Sequence, residues 1–226
     1  METIDSSEMT PAGEGLIPMP HMDVAANRAS SAFTRAENLR RLLWACVWPL
    51  FRLSPRPLYG WRRWLLRRLG ARIGAHVNIH NTAQIALPWN LCVGDWSCIG
   101  DAARIYNLGP ITIGSRVTVS QHAHLCAGTH DYTLADMPLR KPPIRIEDDA
   151  WVCADAFVAG GITIHQGAVV GARAVVVKDV PAWSVVAGNP ARVVKQRILR
   201  PPLGSERHGA SRRWLESECR ELRVES

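Results

Sequence analysis

At 226 residues, 47% of them hydrophobic and with a formal net charge of +7, the chain has length for one sizeable core with flanking segments and does not call for a second. Its six cysteines, Cys46, Cys92, Cys98, Cys126, Cys153 and Cys219, form no Cys-x-x-Cys pair and fit no small secreted framework, which argues against a disulfide scaffold and for a reducing cytoplasm. The positive charge is local: Arg35, Arg40, Arg41, Arg52, Arg56, Arg62, Arg63, Arg67, Arg68 and Arg72 share their stretch with one acid, Glu37, so a polyanionic neighbour, phosphates or a lipid headgroup surface, is expected there, and no nucleic acid.

Residues 1–30 are polar and rich in small side chains, without the charged n-region and apolar h-region of a secretory signal, and are expected to be a disordered arm. Residues 31–70 form a Trp/Arg-rich amphipathic, partly helical segment. Its apolar core from Leu42 to Leu53 is broken by Pro49 and Arg52, and a bilayer span needs about 20 apolar residues. Two roles stay open for it. With Trp44, Trp48, Trp61 and Trp64 beside the arginines, residues 35–69 could lie along a membrane interface at headgroup level. Alternatively, the segment is an amphipathic hairpin that caps the first coil of the domain after it.

That domain, over 71–195, is a repeat. An aliphatic residue recurs every six positions with few breaks: Ile73, Ile79, Ile85, Val93, Ile99, Ile105, Ile113, Val119, Leu125, Ile146, Val152, Val158, Ile164, Val170 and Val176. Four residues after each, the chain is nearly always small or β-branched, as at Val77, Ala83, Ser97, Ala103, Ala123, Ala156 and Ala174. Period six is neither the 3.6 of a helix nor the 2 of a simple strand. It fits a triangular parallel β-solenoid, in which each aliphatic side chain points inward and stacks on its equivalent about 4.8 Å along the axis. Glycines directly after the aliphatic position, among them Gly74, Gly94, Gly100 and Gly114, agree with this. The eight-residue steps from Ile85 to Val93 and from Ile105 to Ile113 predict corners that bulge by two residues.

The register halts after Leu125 and resumes at Ile146. The interruption at 131–143 is the obvious place for a site, because a solenoid puts its variable chemistry in loops. His130 stands at its start, held by the last strand residues on one side and fronting the loop on the other. Imidazole is suited to removing a hydroxyl proton at neutral pH, so His130 is the candidate general base.

Three segments carry a family resemblance: Ser54-Pro55-Arg56-Pro57-Leu58-Tyr59-Gly60-Trp61-Arg62-Arg63, then Gly128-Thr129-His130-Asp131-Tyr132, then Val176-Val177-Lys178-Asp179-Val180-Pro181 with Val186-Ala187-Gly188-Asn189-Pro190-Ala191-Arg192 after it. On these, the stretch from about Ser54 to Arg197 resembles the hexapeptide-repeat acyltransferases, in particular the branch of colanic-acid-type exopolysaccharide O-acetyltransferases. The resemblance implies an all-β, single-stranded left-handed parallel β-helix, a handedness that period six alone does not supply. It implies homotrimers with active sites between neighbouring prisms, acetyl-CoA as co-substrate, and a saccharide acceptor, free or lipid-linked. His130 takes the place of the family's catalytic histidine. The coenzyme's pantetheine arm is implied to pass Ala154 and Ala172 and to reach Val177 and Lys178, with Trp151 near the thioester and Lys178, Arg192 and Lys195 supplying charge for its phosphates. Tyr106, Asn107 and Asp131 are candidates to face the acceptor.

Two other readings compete. A zinc hydratase like the gamma carbonic anhydrases would use His122, His124 and His130, or His76 and His80, but none of these reproduces that family's spacing, so no metal is expected. A non-catalytic solenoid scaffold at the membrane is the other. The chain is expected in the cytoplasm, at the inner face of the membrane if residues 35–69 lie on it. The tail from 196 to 226 is read as a short amphipathic helix through Trp214, Leu215, Cys219 and Leu222.

Overall fold

The computed structural model describes residues 21–30 and 33–200. The tail helix predicted through Trp214, Leu215, Cys219 and Leu222 lies outside them, as does most of the predicted disordered arm. The solenoid is as the register predicts: a triangular prism whose three faces are sheets of five, seven and five strands, parallel except for the last strand of the second. Strands are short because each face holds only a few residues before the chain must turn.

The aliphatic columns are continuous. On the second face Ile79, Ile99, Val119, Val152, Val170 and Val186 stand in direct register, and all are buried. Ile73, Val93, Ile113, Ile146 and Ile164 form the first column, and Ile85, Ile105, Leu125, Val158 and Val176 the third. A β-branched stack of this kind excludes water along the axis and supplies most of the burial that holds the coils together.

Corners are tight. Between the first and second faces the chain adopts positive φ at His76, Trp96, Arg116, Asp149 and Trp183, and between the second and third at Ala102, His122, Asp155 and Arg173. Non-glycine residues seldom occupy this region. Here corner N–H groups donate to a corner carbonyl one coil back, as Trp96 does to Ala75 (3.0 Å) and Arg116 to Asp95 (2.8 Å). Gly94 is required for another reason: a Cβ there would come within 2.6 Å of the Gly114 and Ser115 backbone. The two bulged corners are observed, the first as a 3-10 turn over Pro88–Asn90.

The N-terminal segment forms three helices: α1 (Val24–Ala29), α2 (Arg35–Arg52) and α3 (Tyr59–Arg68). The predicted disordered arm therefore needs correction over 24–29. Thr34 and Glu37 start α2 with a reciprocal capping box, and Trp44, Val47 and Phe51 turn toward the solenoid.

Helices α2 and α3 close the open end of the prism. In every later coil the strand carbonyls accept from the preceding coil, as Ile99 does from His80 and Val119 from Gly100. The first coil has no predecessor, and side chains take its place. Arg67 Nε donates to Ile73 O (2.8 Å), Arg63 to Val77 O (2.9 Å), Arg62 Nε to Ile79 O (2.6 Å) and Trp44 Nε1 to Ile85 O (2.9 Å). An exposed β-edge is a template for aggregation, and these four donors occupy it. At the other end Arg192–Gln196 turns back antiparallel on Ser184–Ala187.

Candidate active site

After Cys126 the chain leaves the third face, and the loop beyond it is stapled at its base. Thr129–His130 pairs antiparallel with Leu139–Arg140, His130 opposite Leu139, so His130 stands on a short ladder rather than at a loose tip. Its Nδ1 lies 2.6 Å from the carbonyl of Met137. A carbonyl only accepts, so Nδ1 carries the hydrogen and Nε2 is left with the free lone pair. That tautomer is the one a general base needs.

The loop is tied from outside by α1. Asn27 Nδ2 donates to Met137 O (2.7 Å) and Asp136 O (2.6 Å), and the Asp23 N–H donates to Ala135 O (2.8 Å). The Met137 carbonyl is thus gripped by Asn27 on one side and His130 on the other. Replacing Asn27 with alanine removes only the outer grip. With His130 as the candidate base, the expected result is a fall in kcat of about tenfold, through a less well-aimed imidazole, with KM nearly unchanged. Steady-state kinetics separates the two.

Beside His130 lies a cleft of about 310 Å³. Its floor is Leu139 from the loop stem and Tyr106 and Leu108 from the second bulged corner; its far wall is Phe33 and Arg41. The Phe33 ring sits between two cations, the Arg41 guanidinium 4.2 Å and the Lys141 ammonium 4.1 Å from its centroid. Glu37, the nearby acid, is committed to its cap: hydrogen bonds from Thr34 hold its carboxyl below the usual range, with smaller help from Lys141 and Arg40. Sequence reasoning missed Asn27, Phe33 and Arg41. Thr34-Arg35-Ala36-Glu37 signals the start of a helix, not what that helix and the residues before it pack against.

The three acceptor candidates separate. Tyr106 is partly exposed and lines the cleft. Asn107 does not face a ligand: it is fully buried, its amide donating to Leu87 O (2.6 Å) and accepting from Leu87 N (2.9 Å) to splice the two bulged corners. Asp131 is turned into the loop as well. It accepts from the Thr133 hydroxyl (2.6 Å) and from Arg140 (3.0 Å), bonds that hold its carboxyl below the usual range, Thr133 first. Asn107 is structural because groups freed by an irregular stretch of backbone need partners, and Asp131 is engaged within the loop.

The residues expected at the coenzyme lie on two edges of the prism. Ala154 and Ala172 occupy the corner between second and third faces in adjacent coils, linked where Arg173 N donates to Ala154 O (2.9 Å). Trp151 sits on the second face with its Nε1 donating to Ser120 Oγ (2.9 Å). Val177 and Lys178 occupy the next corner, the one His130's loop leaves from, two coils further along and thus about 10 Å away. Arg192 and Lys195 are exposed on the closing strand. Among the described residues no group of three or more His, Cys, Asp or Glu is placed to hold a metal. His124 instead packs edge-on to Phe157 (5.3 Å), where burial and then Arg104 lower its pKa.

No protein-family model matches the chain. WcaF of Escherichia coli K12, named as a colanic acid biosynthesis acetyltransferase, is 44% identical over 158 residues, which cover 70% of this chain and 87% of WcaF. A maltose O-acetyltransferase from Clostridium difficile 630 is 25% identical at a TM-score of 0.67, over 74% of this chain and 90% of that one. A galactoside acetyltransferase in complex with coenzyme A is 22% identical at a TM-score of 0.68, over 79% and 91%, and at that identity the likeness is one of fold.

Proposed function

Because this chain belongs to the hexapeptide-repeat acetyltransferases and has their left-handed parallel β-helix, we propose that it transfers the acetyl group of acetyl-CoA to a hydroxyl of a saccharide on the way to a colanic-acid-type exopolysaccharide. The observation that carries this is the tautomer of His130, fixed by the Met137 carbonyl beside a cleft the size of a sugar unit. Nε2 takes the acceptor's hydroxyl proton as the oxygen attacks the thioester carbonyl. Collapse of the tetrahedral intermediate breaks the C–S bond, and the departing thiolate takes the proton back from the imidazolium. No covalent acyl-enzyme is needed.

The donor reaches His130 along the corner that carries Val177 and Lys178, with Lys178, Arg192 and Lys195 on its phosphates. Ala154, Ala172 and Trp151 lie on a different edge of the same prism and cannot close on that donor from within one chain. A homotrimer resolves this: the edge of one prism faces the next, so each cleft takes residues from two copies. The saccharide enters past Tyr106 and Arg41. We place the enzyme at the inner face of the membrane, where a lipid-linked acceptor would be presented.

Release of thiol from acetyl-CoA, dependent on added saccharide, tests the reaction; a scaffold would release none with any acceptor. Lys178→Ala should raise KM for acetyl-CoA far more than it lowers kcat, since the phosphates are remote from the reacting carbon. Collapse of kcat alone would move the donor elsewhere.

A further inference from the structure

Helix α2 carries two apolar faces, roughly 120° apart around its axis. One, with Trp44, Val47 and Phe51, is packed on the prism. The other carries Leu39, Leu42, Leu43, Cys46 and Leu50 at spacings of three and four, and its leucines are between 53% and 68% exposed. Among the described residues nothing covers this second face. It continues onto α3: Trp61 Nε1 donates to Leu50 O (3.2 Å), Trp61 stacks on Trp64 at 5.1 Å, and the Arg68 guanidinium lies 5.4 Å from the Trp64 ring. Both tryptophans are themselves partly exposed.

We propose that the outer face of α2 with the Trp61–Trp64 pair is a membrane-docking surface that seats the enzyme on anionic phospholipid, leucines in the acyl boundary and indoles and arginines at headgroup level. Charge selects lipid over a second copy of the chain. The segment that carries the apolar stripe exposes Arg35 at the start of α2 and Arg68 over Trp64, and its sole acid, Glu37, is committed to the helix cap. Two such surfaces face to face would set arginine against arginine, whereas each arginine gains from an anionic headgroup. Neither α2 nor any other described helix is long and apolar enough to cross a membrane, so α2 lies in the plane.

This deepens the functional reading and rests on it for the acceptor. Arg41, on the same helix as the leucines, lines the cleft of His130, so a helix lying on the membrane keeps the cleft within about one helix diameter, roughly 10 Å, of the headgroups, where a saccharide on a lipid carrier is held. The closed end of the prism and the membrane face are thus different sides of one helix, and the two roles left open by the sequence do not exclude each other.

Flotation of the full chain with vesicles of phosphatidylcholine mixed with phosphatidylglycerol, against phosphatidylcholine alone, tests this. Binding is expected only with the anionic mixture, falling with salt, with a blue shift of tryptophan emission. The double variant Leu43→Glu, Leu50→Glu should bind at least about tenfold more weakly while releasing thiol from acetyl-CoA with a soluble saccharide at the parent rate. Absence of flotation, or equal flotation of the double variant, overturns the proposal. So does a concentration-dependent assembly that the double variant abolishes, since the face would then belong to a protein partner. Flotation without thiol release would retain the docking surface and remove the acetyltransfer reading.

Discussion

Replacing His130 with alanine should lower saccharide-dependent thiol release by about 10² to 10⁴-fold, the range that a positioned general base contributes, with the thermal midpoint unmoved. The fold has little stake in this side chain. His130 is exposed, and its imidazole is held by the Met137 carbonyl. That carbonyl keeps a donor in the variant, because Asn27 Nδ2 still reaches it at 2.7 Å. The comparison with Asn27→Ala is therefore informative. Loss of the base removes proton transfer altogether, whereas loss of the grip leaves the base present but less well aimed. The double variant should be no slower than His130→Ala alone, since orientation has no value without the imidazole. A His130→Ala enzyme that kept its rate would place the proton transfer on another group. One that lost its midpoint along with its rate would make His130 a folding residue.

The core of the solenoid was legible because its signal is local and repeated. Ile79, Ile99, Val119, Val152 and Val170 stack in one column, and a six-residue period needs only neighbouring hexads to be seen. The break after Leu125 was legible for the same reason. Corners were less so: with Trp96, Arg116 and Asp149 at positive φ, the glycine signal that usually marks such turns is missing, and the strain is offset by hydrogen bonds to the preceding coil. Asn107 was placed at the acceptor by resemblance, whereas here a two-residue bulge buries Leu87 backbone groups that need partners and the amide supplies them. The far wall of the cleft could not be read at all. Asn27 meets Met137 across 110 positions of sequence, and no local pattern announces a contact of that range.

The other large effect is expected far from the cleft. Arg62 is fully buried, its Nε on Ile79 O (2.6 Å), one terminal nitrogen on Ser54 Oγ (2.9 Å) and Pro55 O (2.9 Å), the other on Arg56 O (2.6 Å), with its guanidinium over the Tyr59 ring at 4.8 Å. Burial pulls its pKa below the ordinary value, Tyr59 opposing, yet a guanidinium keeps its charge in proteins. There is no carboxylate in the set; the charge is held by oxygen dipoles alone. Arg62→Met keeps much of the length of the side chain and removes every donor, leaving the buried Ile79 carbonyl at the end of the prism without its partner and taking the donors from the buried Ser54 hydroxyl and the part-buried Pro55 and Arg56 carbonyls. The expected loss is about 3 kcal/mol or more, roughly a 10 °C fall in midpoint for a domain of this size. Arg63→Met is the control. Its bond to Val77 O is only part-buried, water can replace the lost donor, and the loss should stay below about 1 kcal/mol. Thermal melts of the two variants distinguish a specific plug from a general need for positive charge. Equal losses at both would mean a general need for the positive charges, and no loss at Arg62 would mean that the first coil is closed by apolar packing of Trp44 and Phe51. A large loss at Arg62 alone would fix α3 as a structural part of the prism, with its outer side left for the membrane.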